Sequence, residues 1–373
     1  MSRLPQPRDG KQLVIKGRHP DLSFFPATYR NRGWTLASTL FAVSPWAVIR
    51  RAITDGVEDE DEDRRREALA FLGQAEDFYV TARERLAANP LLFYYAFLNL
   101  GKALLLARGI DKEIDQAHHG LEQPKASGSV LEEAYVKVRQ GRGLVHVFPD
   151  LIGLTDRVEL RSETELPIGD LLAQVVVGHR QWVDATGEGE RFVALVETEL
   201  MSGHDEKIVW ARLFVSEEDL GRHEITLERL VDEGHLQDRL RVVDSPRPGW
   251  RCLESVEPVA FTTDPADELH VLAAHLRPSL WRIVSSLPSA AYRRYYLHLT
   301  PAGDMRVPQL ASLWALFFYF GSIVRYRPHV FDEITAGRYG AFVTEFVAAQ
   351  PEQLLYLLAS EACQREVAKP AIA

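Results

Sequence analysis

The spacing of hydrophobic positions changes character twice along the chain. Ala68, Phe71, Leu72, Ala75, Phe78, Tyr79, Ala82 and Leu86 recur at helical intervals, which predicts one amphipathic helix reaching about Ala88. Asn89-Pro90 then supplies a cap and a first helical residue, and an apolar run follows to Leu106. Gly109 stands where a helix C-terminus takes a left-handed glycine. The two helices are predicted to lie antiparallel with a short connection. Upstream, Ser44-Pro45 opens a shorter helix. Downstream, Ser129 and Glu132 have capping-box spacing. Leu131, Ala134, Tyr135 and Val138 then predict the buried face of another helix, and a further helix is predicted over 167–182.

The middle of the chain switches toward a period of two. "RFVALVETEL", "KIVWARLFV", "RLRVVDS" and "RCLESVEPVAFT" read as strands, rich in β-branched and aromatic residues. "YRRYYLHL" (292–299) reads as another, and a short helix near 226–233 begins at Thr226. From Val307 the helical period returns, predicting helices at 307–326, 336–348 and 351–368. The fold class is therefore mostly α with a smaller β-containing middle, α+β. The boundaries are an irregular segment at 1–35, a helical region at 36–185, the β-containing region at 186–300, and C-terminal helices at 301–373 that pack on the first helical region.

Charge and composition narrow the classes. The 373 residues are 46% hydrophobic with a formal charge of −10, so no global basic field draws in nucleic acid, although a local basic groove is compatible with that total. The run "EDEDEDRRR" (58–66) reads as a solvated helix start, its acids at the positive end of the dipole, with an acidic contact or metal surface as the alternative. Glu60–Arg64, Asp61–Arg65 and Glu62–Arg66 have i,i+4 spacing. Two cysteines, Cys252 and Cys363, make neither a disulfide framework nor a zinc set. The first residues lack the apolar stretch of a signal peptide. The apolar run Leu310–Val324 has 15 residues, short of the roughly 20 that span a bilayer. A cytoplasmic, non-membrane protein is expected.

Chemistry concentrates in a few places. Tyr95, Asn99 and Lys102 share one face of the apolar helix. Either that face lines a polar pocket or it is an exposed edge, because a buried ammonium must be paired or shift its pKa. His118-His119 in "AHHGLEQ" can act as a base, a phosphate contact or a metal ligand, or simply pack at the surface. Arg325, Arg327 and His329 follow the last long apolar run. They cap its carbonyls, or Arg325 reaches an anion beside Lys102. "YRRYY" interleaves bases and aromatics as single-strand binders do, but strand alternation divides it between two faces. Gly101-Lys102 lacks the rest of a phosphate-binding loop, "GRGLVH" lacks a third glycine, and His270/His275 are wrongly spaced for a helical zinc pair. No G-x-S-x-G elbow occurs. No metal and no cofactor is expected.

Two of these segments carry a resemblance. "NPLLFYYAFLNLGKALLL" followed by "HHGL", and much later "FGSIVRYRPHVFDEI" with Arg325, Tyr326 and Pro328, resemble the YaaC-like family of bacterial proteins. Phe331 stands where that family commonly has Trp. The resemblance covers the chain from about Trp34 and implies no reaction. A local similarity of 90–146 to HEPN domains implies a metal-independent ribonuclease, with His146 moving the 2′-hydroxyl proton and Arg139 stabilising phosphate charge, and it implies a homodimer. Six residues separate Arg139 from His146, but Gly141 and Gly143 interrupt the helix on which that motif lies.

The function expected is binding of an anionic ligand, nucleotide or nucleic acid such as RNA, by Tyr95, Asn99, Lys102, His118, His119, Arg325 and Tyr326. Bacterial stress response or phage defence is the setting that the HEPN likeness implies. The rival readings are the ribonuclease and a non-catalytic scaffold that holds a protein partner.

Overall fold

A computed structural model describes residues 4–15, 17–26, 39–57, 61–84, 89–110, 114–124, 131–141, 143–203, 205–286 and 293–371. Within them the protein is α+β and mostly helical, with twelve α-helices against fourteen short strands. The chain forms two compact units. One comprises 42–188 and 305–363; the other comprises 1–41, 189–304 and 364–373.

The first unit is built on helices α1 (Pro45–Gly56), α2 (Glu62–Glu84) and α3 (Asn89–Ala107). It is completed by α4 (Val147–Asp156), α5 (Ile168–Ala173) and α6 (His179–Thr186), and by the late helices α10 (Gln309–Tyr326), α11 (Pro328–Ala336) and α12 (Gly340–Cys363). α3 is apolar on nearly every side and lies in the core, packed by α2, α10, α4 and α12. By length and composition it could cross a membrane, yet 72% of its most apolar window is buried inside the fold. Aromatic rings join the helices. Phe317 of α10 meets Phe97 of α3 at 5.1 Å and Phe346 of α12 at 4.9 Å between centroids. Tyr79 of α2 meets Phe93 at 5.2 Å. Such pairs add to the area term that dominates core energetics.

A small antiparallel sheet flanks these helices: β3 (Leu121–Glu122), β4 (Tyr135–Val138) and β5 (Glu165–Pro167). Here the helix expected from Leu131, Ala134, Tyr135 and Val138 is corrected to a strand. Val136 and Val138 are buried while Tyr135 and Lys137 are partly exposed, so the side chains alternate with period two. The capping box involving Ser129 lies outside the described residues, as do Glu60 and the first residue of "YRRYYLHL". The helix expected over 167–182 is two shorter ones, α5 and α6. The helices expected at 336–348 and 351–368 also differ: α11 and α12 replace them, α12 runs unbroken through Pro351, and Glu366–Ala368 is a strand. At the start of α2 the ion pairs are i,i+3, Arg64 with Asp61 and Arg66 with Asp63.

The second unit holds most of the strands. β7 (Glu197–Gly203), β8 (Ile208–Ser216) and β10 (Trp250–Ser255) form the centre of an antiparallel sheet. It is extended by β1 (Lys11–Gln12), β9 (Leu240–Val243) and β11 (Val259–Ala260). β6 (Phe192–Ala194), β12 (Trp281–Arg282) and β13 (Tyr295–His298) make a second sheet. β2 (Thr39–Phe41) and β14 (Glu366–Ala368) pair in parallel. Short helices α7 (Glu217–Arg222), α8 (Leu227–Glu233) and α9 (Leu269–Leu276) complete the unit. Thr226 caps α8 as its sequence suggests, its hydroxyl accepting from the Arg229 N–H.

Two buried carboxylates organise this unit. Glu254 is fully buried and accepts from Arg212 at 2.9 Å, Arg241 at 3.0 Å and the Arg8 backbone N–H at 3.1 Å. Burial alone would raise its pKa, but these donors hold it below the ordinary carboxylate value. Glu366, equally buried, takes Arg294, Arg282 and the Tyr295 hydroxyl. Removing one member of such a cluster leaves uncompensated charge inside the protein. Glu254→Gln is therefore expected to lose about 3–5 kcal/mol of unfolding free energy, read by chemical denaturation. An unchanged midpoint would show that the cluster is not the constraint described.

Candidate functional site

The loop between α3 and α4 positions the first groups. The His118 N–H donates to the Val145 carbonyl at 2.9 Å, and the Val147 N–H donates back to the His118 carbonyl at 2.9 Å. The Phe148 N–H, at the start of α4, donates to the His119 carbonyl at 3.2 Å. Gly120 makes the turn possible. Its φ is +80°, and a Cβ there would stand 2.4 Å from Pro149 Cδ, so no other residue fits. The chain is thereby pinned to the helix start, and the His119 ring lies against α3, 5.6 Å from the Tyr94 ring and 6.4 Å from the Tyr95 ring.

A pocket of about 590 Å³ opens beside it. α3 contributes Leu91, Tyr94 and Tyr95; the loop and β3 contribute His119, Leu121 and Gln123; α10 and the residues after it contribute Phe318, Ser322, Arg325, Tyr326 and Arg327. Segments more than 190 residues apart in sequence thus share one cavity. Arg325 donates to the Tyr95 hydroxyl at 2.6 Å and lies over the Tyr326 ring at 4.9 Å. Ser322 donates to Gln123 Oε1 at 2.7 Å. Tyr326 is 67% exposed and marks the open side, whereas Tyr94 is 3% exposed and marks the closed one.

The electrostatics are cationic without being saturated. Among the described residues Arg325 makes no ion pair; its hydrogen-bond partner is a neutral phenol. His119 is half-buried, and burial, then Lys102, then Arg325, then His118 push its pKa below the ordinary imidazole value, so it is neutral near pH 7. Burial raises the Tyr94 phenol far above its usual range. Among the described lining residues the one acid is Glu122, engaged by Arg139 at 2.5 Å.

The sequence candidates distribute unevenly. Tyr95, His119, Arg325 and Tyr326 line the cavity. Lys102 does not. Its ammonium sits 5.0 Å over the Phe71 ring, and burial lowers its pKa against the opposing pull of Asp115 and Glu67. It reaches the site as a field acting on His119. Asn99, partly buried on α3, is not among the lining residues. His118 is exposed and stacks on His146 with centroids 5.2 Å apart.

Arg139 and His146 occupy different settings. Arg139 follows β4 and pairs with Glu122 and Glu163. His146 is the residue before α4, its N–H donating to Asp150 at 2.8 Å. Both of its ring nitrogens are buried without a hydrogen-bond partner, and no hydrogen bond or ion pair joins it to Arg139 among the described residues. Sequence reasoning passed over Tyr94, Gln123, Ser322 and Phe318. Tyr94 could have been found as the other member of "YY", turned about 100° around the helix from Tyr95. Nothing in "LEQPK" marks Gln123.

The fold and cavity define a mostly helical α+β protein with a cation-edged, aromatic-walled pocket. The chain belongs to the YaaC-like protein family, whose model matches residues 38–362. Comparison with curated proteins and with solved structures finds no match.

The depressed histidines have a consequence for stability. His146, like His119, is held below the ordinary value, first by burial and then by His118. Between the folded pKa and the unfolded value of about 6.5, the unfolded chain binds more protons, so stability rises with pH there. Their stabilising neutrality is present above about pH 6.5 and is lost as the pH falls through the folded values. His146→Phe keeps the ring stack and removes the titration. Thermal unfolding at pH 7.5, 6.5 and 5.5 is expected to show a shallower acid loss in the variant than in the parent; parallel pH profiles would exclude this role for His146.

Proposed function

We propose that this protein binds an anionic ligand of the nucleotide or nucleic-acid class in the Tyr95–His119–Arg325 pocket. The observation that carries the reading is the state of Arg325. Its guanidinium stands at the mouth of a half-open cavity, oriented by a neutral hydroxyl and, among the described residues, without a carboxylate partner. A guanidinium so held keeps the geometry and the charge for bidentate recognition of a phosphate. Arg327 lines the same side. Neutral His119 supplies a ring nitrogen that gains a proton more readily once an anion offsets Lys102 and Arg325. Apolar and aromatic walls with a few convergent polar groups are the usual form of a small-molecule site.

The described lining residues all belong to one chain. We place the protein in the cytoplasm and read α3 as a core helix, consistent with its burial. A metal-independent ribonuclease built on Arg139 and His146 has less to support it, because two carboxylates already occupy the Arg139 guanidinium.

The test is thermal unfolding with mononucleotides and short oligonucleotides. Ligand at about 100 times Kd adds roughly 2.7 kcal/mol to apparent stability, so Tm should rise for the parent and not for Arg325→Ala. A panel that leaves Tm unmoved, or a shift that survives Arg325→Ala, would reject the assignment.

A further inference from the structure

We infer that the pocket takes a nucleoside monophosphate, with its base turned inward so that a base carbonyl meets Tyr94 and Gln123. The inference rests on the anion reading above and adds what the closed end of the cavity recognises. Tyr94 is 3% exposed, lines the pocket, and among the described residues its hydroxyl has no hydrogen-bond partner. Gln123 lines the same pocket. Its Oε1 accepts from Ser322, which fixes the amide, and its Nε2 is buried without a partner among the described residues. Buried polar atoms are almost always satisfied, and leaving one unpaired costs stability. Two residues that line one cavity carry such atoms, and a ligand that completes both donors accounts for them.

The chemistry of that end is specific. An amide Nε2 only donates, so the ligand must present an acceptor there; the Tyr94 hydroxyl can donate to the same atom or to a neighbouring one. The flanking surfaces are Phe318, whose ring meets Tyr94 edge-on at 5.3 Å, together with Leu91, Leu121 and Pro124. They suit a flat, apolar-faced ring bearing a carbonyl. At the open end Arg325 and Arg327 suit a single phosphate. A polynucleotide would need a continuous basic track with repeated stacking platforms. Here Glu122 shares the rim and the chain carries a formal charge of −10. One base and one phosphate match the donors present.

Titration calorimetry of the full chain with uridine 5′-monophosphate, ribose 5-phosphate, inorganic phosphate and a hexauridylate tests this. Uridine monophosphate should bind at least about tenfold more tightly than ribose 5-phosphate, since one good hydrogen bond is worth roughly that factor. The hexamer should bind no more tightly than the monomer. In Tyr94→Phe, Tm should hold or rise, because an unsatisfied hydroxyl is removed, while the preference for the base over ribose 5-phosphate collapses. Gln123→Met should weaken the same preference. If uridine monophosphate and ribose 5-phosphate bind equally, or if both variants keep the parent's preference, the inference fails and the anion reading stands. A hexamer that binds more tightly also overturns it, in favour of a strand. If none of the four binds, both readings fall.

Discussion

Everything at the site depends on how closely α3 and α10 approach. Two glycines set that distance. A Cβ on Gly101 would stand 2.6 Å from Trp314 and 2.7 Å from Val147, and a Cβ on Gly321 would stand 3.2 Å from the Leu91 Cα and the Pro90 carbonyl. Interiors are packed to crystal-like density, so such contacts cannot be absorbed without moving a helix. Because Gly321 touches the first turn of α3, Ser322 and Arg325 fall opposite Gln123 and Tyr95. The hydrogen bond from Arg325 to Tyr95 follows from backbone proximity, and the pocket is the space left where the last turn of α10 diverges toward α11.

The protein treats its arginines in two ways. In the strand-rich unit, Arg8, Arg212 and Arg241 surround Glu254, and Arg282 and Arg294 surround Glu366. Those charges are paired with buried carboxylates. At the helical pocket, Arg325 meets a phenol and an aromatic face instead. Arg325 is exposed, and among the described residues no carboxylate competes with an incoming anion for its charge, which gives the binding proposal its physical content. Lys102 strengthens the field from behind without entering the cavity.

Long amphipathic elements were legible in the sequence because many residues vote for one period. The α2–α3 hairpin, the strand over 208–216 and the Thr226 cap all followed from spacing or cap chemistry. Short segments were not. Leu131, Ala134, Tyr135 and Val138 satisfy helical spacing, yet Val136 and Val138 are buried side by side on a strand face, and four residues cannot separate the two periods. Two helices, 336–348 and 351–368, were expected, but α12 runs through and carries Pro351 within a buried stretch where packing outweighs the missing N–H. Of the site, the charged and ring-bearing members were visible as residue types out of place in an apolar run. Gln123 and Ser322 were invisible, since an amide after a strand and a serine in a helix become informative only when a fold sets them 2.7 Å apart.

Hydrogen–deuterium exchange on the full chain, with and without saturating uridine 5′-monophosphate, tests the central claim most directly. Protection confined to peptides covering 91–95, 119–124 and 318–327 is the outcome that a cavity held between α3 and α10 requires. Protection centred on 189–304, or spread evenly over the chain, would contradict it.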